Sequence, residues 1–230
     1  MLRRLLSRDD RPLIENRTGD ACYVGTCRDT SILACSLLRH QGVPSRLRVG
    51  FAGYFKPGFF ADHWVCEYWD SATWRLLDAE LDSDMSDHYG IDFPSWDVPR
   101  DLFMTAGRAW RAIRAGTADE DAFGVDGLGI TGRWFVGASV LRDLAALNKQ
   151  ELLPWDYWGL ARDFSPKRPP DEDESKALDE LATVIAPNPP DWSTAVATFA
   201  TTPAVQLTPT IISGQVGPIE ISLAPFLAAK

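Results

Sequence analysis

The stretch "GTCRDTSILACSLLRHQGVPSRLRVGF", residues 25–51, holds two different periods in succession. Ile32, Leu33, Cys35, Leu37 and Leu38 recur at helical spacing and predict a helix over residues 30–41, with Cys27 at its start and Gly42 and Pro44 as its stop. From Ser45 the spacing changes to two. Arg46 and Arg48 alternate with Leu47, Val49 and Phe51, the pattern of a strand with one buried face. A thiol therefore stands where a helix begins, and that helix leads through a short turn into a sheet.

Working outward, "FKPGFFAD" (55–62) reads as a loop, "HWVCEYW" (63–69) and "WRLLD" (74–78) as strands, and "DSAT" (70–73) as the turn of a hairpin between them. The polar run "SDMSDHYG" (83–90) reads as a loop. Two longer helical patterns follow, one over "PRDLFMTAGRAWRAIRAG" (99–116) with Pro99 near its start, the other in "WFVGASVLRDLAALNKQELL" (134–153). "SPKRPPDEDESK" (165–176) has the composition of an exposed acidic linker. Short helices are expected around residues 176–185 and after "PNPPDW", and the tail from Thr202 is ambiguous between strand and coil. The division that follows is residues 1–165 as a core with packed helices and 166–230 as linker, short helices and tail. A chain ending near Pro166 is expected to keep its fold.

Composition narrows the function classes. A net charge of −9 works against nucleic-acid or anionic-membrane partners, no stretch is apolar enough to span a bilayer, and the opening "MLRRLLSRDD" lacks the apolar core of a signal peptide. Four cysteines in such a chain fit free thiols in a reducing cytoplasm. No metal is expected. The acids of "DSDMSD" lack the glycine and distal glutamate of a calcium loop, and a zinc set of Cys22, Cys27 and His63 lacks a second Cys-x-x-Cys or a His pair. No cofactor is called for either. Trp110, Trp134 and Trp192 fall on helical apolar patterns and read as core anchors.

The chemistry turns on Cys27. A helix N-terminus presents unpaired N–H groups and a partial positive charge, both of which favour a thiolate. Of the three histidines, His40 lies at the far end of the same helix and His88 in a polar run, which leaves His63 as the base. In the hairpin, residue 65 falls opposite 78 and 63 opposite 80, so His63 and Asp78 share a face as diagonal neighbours within hydrogen-bond reach.

Together, "GTCRDTSILACSLLRHQGVPSRLRVGF" and "DHWVCEYWDSATWRLLD" (62–78) resemble the transglutaminase-like branch of the papain-like cysteine enzymes, with a Gly-x-Cys at a helix start, a "GVPSR" link into a strand, a histidine beside a tryptophan, and Trp-x-x-x-Asp. Trp64 follows His63 directly, and "AELD" stands after Asp78 where relatives often carry Pro-Thr. The resemblance implies an α+β fold, a nucleophile helix packed on an antiparallel sheet with a mostly helical C-terminal extension. It also implies Cys27 as nucleophile, His63 as base and Asp78 as the group that orients the base. Trp64 and Tyr23 are the candidates for substrate contact, Tyr23 also for the second oxyanion donor. The implied activity is acyl transfer from an amide or thioester, in a small molecule or peptide, to water or an amine. The alternative is a silent module of this type that binds a partner.

Overall fold

Thr26 and Asp29 decide where the first long helix begins. The Thr26 N–H donates to the Asp29 carboxylate at 3.1 Å, half of a capping box, and the helix runs Cys27–His40. Cys27 is thus the first helical residue, three positions earlier than the apolar spacing alone predicts. In the computed structural model, which describes residues 2–22, 24–214 and 219–224, this helix is α2, after a short α1 (Leu2–Arg8).

The strands that follow are β1 (Ser45–Lys56), β2 (Phe59–Trp69) and β3 (Trp74–Leu77). The expected loop at 55–62 is instead strand on both sides of a tight turn: Lys56 pairs with Phe59, and Gly58 between them takes φ 75° after Pro57. The expected hairpin register holds, since Cys66 pairs with Leu77 and Trp69 with Trp74. Asp70 closes that turn, accepting from Ala72 N at 2.9 Å and Thr73 N at 2.7 Å. The polar run after it is a helix, α3 (Ser83–Tyr89), because Asp82 caps it by accepting from Met85 N and Gly90 ends it in the left-handed region.

Further along come β4 (Phe103–Thr105) and α4 (Ala106–Arg114), then β5 (Phe123–Val125), β6 (Ile130–Thr131) and α5 (Arg133–Leu147). Helix α4 begins seven residues after Pro99 because Phe103–Thr105 pairs with the edge of β1 first. The sheet order is β4-β1-β2-β5-β6, with β3 also on β2. It is mixed rather than purely antiparallel, since β2 and β5 run parallel. The remaining elements are β7 (Asp156–Tyr157), α6 (Glu172–Ile185), α7 (Trp192–Thr201), β8 (Thr210–Ser213) and β9 (Ile219–Ser222), the three strands forming a small second sheet.

Both faces of β1 are covered, contrary to its alternation of arginines and apolar residues. Helix α2 packs over Leu47, Val49, Trp64 and Cys66 through Cys35, whose thiol lies 2.8 Å from that of Cys66. On the other parity, Arg48 is fully buried, grips Asp143 of α5 through two hydrogen bonds of 3.0 and 2.8 Å, and donates to Ile185 O at the end of α6. Arg46 pairs with buried Glu67 at 2.6 Å. Charged residues can occupy an interior when each finds its partner there.

The "DEDESK" run is not a linker. Asp171 accepts from Glu174 N while Glu174 reaches back to Asp171 N, a complete capping box that starts α6 at Glu172. Leu178, Leu181, Ala182 and Ile185 of α6 join the same apolar cluster as Trp110 and Phe135, and Gly107 and Gly137 supply the close approach: a Cβ on them would meet Ile185 at 2.7 Å and Leu178 at 2.9 Å. Residues on both sides of position 165 therefore share one apolar cluster. Trp110 and Trp134 are buried as core anchors, whereas Trp192, at the first turn of α7, is 45% exposed. Among the described residues, no helix is long and apolar enough to cross a membrane.

Candidate active site

Three elements converge on one point: the N-terminus of α2, the beginning of β2 and the end of β3. Ser31 of α2 donates to Trp64 O at 2.8 Å, so the helix is fastened to β2 one residue from His63. Asp78 leaves β3 with its N–H donating to Ser95 O at 2.8 Å. His63 Nε2 and Asp78 Oδ2 then meet at 2.7 Å, both residues buried. The other ring nitrogen, Nδ1, lies 3.8 Å from Glu80 Oε2, and Cys27 Sγ, a His63 ring nitrogen and a Glu80 carboxylate oxygen all lie within 4.8 Å of one another. Cys27, His63 and Asp78 are thus brought together, with the imidazole in the middle.

The pair is held from several sides. Tyr54 Oη donates to Asp78 Oδ2 at 2.6 Å, and Glu80 N donates to Oδ1 at 3.0 Å. Phe55 and Tyr54 pack edge-on against the His63 ring at 5.1 and 6.1 Å, with Phe93 and Tyr89 behind them. Tyr54 and Phe55 reach this position through a bulge. Between the Ala52–Ala61 and Lys56–Phe59 pairs, residues 53–55 of β1 stand against residue 60 alone.

Electrostatics follow from this packing. Burial disfavours a charged imidazole, yet the Asp78 charge and hydrogen bond, with Cys27 adding to them, hold His63 well above its ordinary pKa. Burial likewise works to raise Asp78, but the His63 charge outweighs it, aided by the His63, Tyr54 and Glu80 N hydrogen bonds, and the carboxyl lies below the usual range. Burial, followed by the Asp78 charge, pushes the Tyr54 phenol well up, so it stays a proton donor to that carboxylate. Glu80 is raised by burial, with the His63 charge pulling the other way.

The remaining sequence candidates fall elsewhere. Trp64 is 1% exposed and packs with Cys35, Leu47 and Val49, because alternation along β2 turns it away from the His63 face; it offers no surface to a substrate. Tyr23 lies outside the described residues. Cys22, half-buried, donates its thiol to Arg17 O at 3.1 Å rather than joining Cys27 and His63. Tyr54, Phe55 and Glu80 were missed. Glu80 could have been found, since the hairpin register already set residue 80 opposite His63; Tyr54 and Phe55 could not, because a bulge leaves no periodic mark.

Residues 12–79 match the family model of the transglutaminase-like superfamily. The matched segment contains Cys27, His63 and Asp78 and is similar to that superfamily, the one its sequence blocks resemble. That superfamily usually holds Cys-His-Asp enzymes. The β4-to-β9 portion, with its helices, lies beyond the match. No significant match was found among curated proteins or among solved structures.

Proposed function

We propose that this protein is a cysteine-dependent acyl-transfer enzyme, with Cys27 as nucleophile, His63 as general base and acid, and Asp78 as the residue that orients and charges His63. The observation that carries the reading is the imidazole between two partners: Nε2 donates to Asp78 at 2.7 Å, and a ring nitrogen lies within 4.8 Å of Cys27 Sγ at the start of α2. In the reaction His63 Nδ1 takes the thiol proton and Sγ bonds to the carbonyl carbon of an amide or thioester. The carbonyl oxygen becomes an oxyanion, for which the Cys27 N–H at the start of α2 is the donor. Collapse breaks the bond to the leaving amine or thiol, which takes the proton from His63. Water or an amine then loses a proton to His63 and attacks the acyl-enzyme, and Sγ is released.

The test is thiol mapping with iodoacetamide at neutral pH. The helix terminus and the imidazolium both stabilise the sulfur anion, so Cys27 should be alkylated at least about tenfold faster than Cys22, Cys35 and Cys66. His63→Ala should abolish that preference. With an aryl thioester as acyl donor, mass spectrometry should find one acyl group, on the peptide containing Cys27. Equal labelling of the four thiols, with no acyl adduct, would instead favour a silent binding module.

A further inference from the structure

Glu80 has no part in the acyl-transfer steps, yet its carboxylate sits against the two groups that do. We propose that Cys27 Sγ, His63 Nδ1 and a Glu80 carboxylate oxygen form a three-ligand site for zinc. The three donors lie within 4.8 Å of one another, with His63 Nδ1 3.8 Å from Glu80 Oε2. Zinc held by sulfur, nitrogen and oxygen at about 2.0–2.3 Å in tetrahedral geometry spaces its ligands roughly 3.3–3.7 Å apart, so side-chain adjustments of about an ångström close the site. The donor set is chemically suited: thiolate and imidazole are preferred zinc ligands, and thiolate plus carboxylate carry two negative charges to match the ion.

The surroundings complete the argument. A zinc-bound histidine usually directs its second ring nitrogen to a carboxylate, which fixes the tautomer. Here Asp78 already occupies Nε2 at 2.7 Å and leaves Nδ1 as the free ligand atom. The Glu80 side chain is 32% exposed while that of His63 is 3% exposed, so Glu80 is the side from which an ion can enter. Binding itself does not depend on catalysis. Its consequence, that zinc and acylation exclude each other because both need Sγ and Nδ1, rests on Cys27 being the nucleophile.

The experiment uses the full chain, stripped of metal and titrated with zinc chloride. One equivalent should bind by calorimetry and protect Cys27, among the four mapped cysteines, from iodoacetamide. Cobalt in its place should give a sulfur-to-metal charge-transfer band that is absent in Cys27→Ala. Glu80→Gln, with a native near-UV spectrum, should bind zinc at least about tenfold more weakly. Absence of one-equivalent binding, alkylation of Cys27 unaffected by zinc, a cobalt band that survives in Cys27→Ala, or unchanged affinity in Glu80→Gln would each overturn the site. The protection measurement needs no variant. Selective alkylation of Cys27 without metal, combined with no zinc binding, would remove the metal site and leave the acyl-transfer reading standing; zinc binding with an unselective Cys27 would do the reverse.

Discussion

Asp78 is the residue on which the site's electrostatics depend. Its carboxyl is depressed in the folded chain, so its contribution to stability is present above the ordinary aspartate pKa of about 3.9 and is lost as pH falls through the folded value. His63 is raised, so its contribution is complete below the ordinary histidine value of about 6.5 and is lost as pH rises through the folded value. The two windows overlap between about pH 4 and 6.5. The difference in melting temperature between the wild type and Asp78→Asn should therefore be largest there and should shrink toward alkaline pH. A difference that is constant from pH 4 to 9 would show that Asp78 acts through packing alone. At this scale Cys27, His63 and Asp78 were legible because their residue types are rare or their register countable, whereas Tyr54 was hidden by the bulge that aims it.

At the scale of elements, β1 is held from three directions: by β2, by β4 and by the Arg48–Asp143 pair to α5. Gly50 is the point of closest approach. A Cβ there would lie 2.4 Å from Met104 O and 2.8 Å from Thr105 Cα, both backbone atoms that cannot swing aside. Gly50→Ala should accordingly force β4 off β1 and cost about 1–3 kcal/mol in urea unfolding, the range for overpacking. An unchanged midpoint would mean that the β4 pairing contributes nothing. The spacing of apolar residues foretold α2, β1, β3 and the second half of β2, where one period runs through the segment, and α5 as an unbroken apolar helix. It missed β4 and α3, the first because three residues carry no period and the second because its stability comes from the Asp82 cap and Gly90 rather than from an apolar face.

For the whole molecule, α6 is the closing piece. It lies against α4 and α5, Trp110 Nε1 donates to Asp179 at 2.7 Å, and Ile185 O accepts from Arg48 beneath the sheet. A chain truncated after Pro166 would uncover Trp110 and the faces of α4 and α5 at Gly107 and Gly137, and strip Arg48 of one partner. Exposed apolar area costs about 25 cal/mol per Å², so that chain should aggregate or lose its near-UV circular dichroism. A folded truncated chain with Cys27 still selectively alkylated would show that α6 is dispensable. In the full chain, Asp143→Ala takes from the buried Arg48 guanidinium the carboxylate it grips through two hydrogen bonds, leaving Glu67 at 3.5 Å, and should cost about 3 kcal/mol.

What the sequence determined by itself was local or nearest-neighbour in kind: the start of a helix at a thiol, the change of period at Ser45, and a hairpin register that set His63 beside Asp78 and opposite Glu80. Such features depend on φ/ψ preferences and on side-chain alternation over a few residues, which a chain carries with it before it folds. Tertiary structure alone decided that the arginines of β1 are interior, that Trp64 is buried in the cluster beneath α2, that the acidic run at 171–174 caps a core helix, and that Cys27 of one element lies near His63 of another. Each of those depends on which distant group fills the space: Asp143 for Arg48, α2 for Trp64, α4 and α5 for α6. Burial and pairing across a hundred residues leave no periodic trace in the chain.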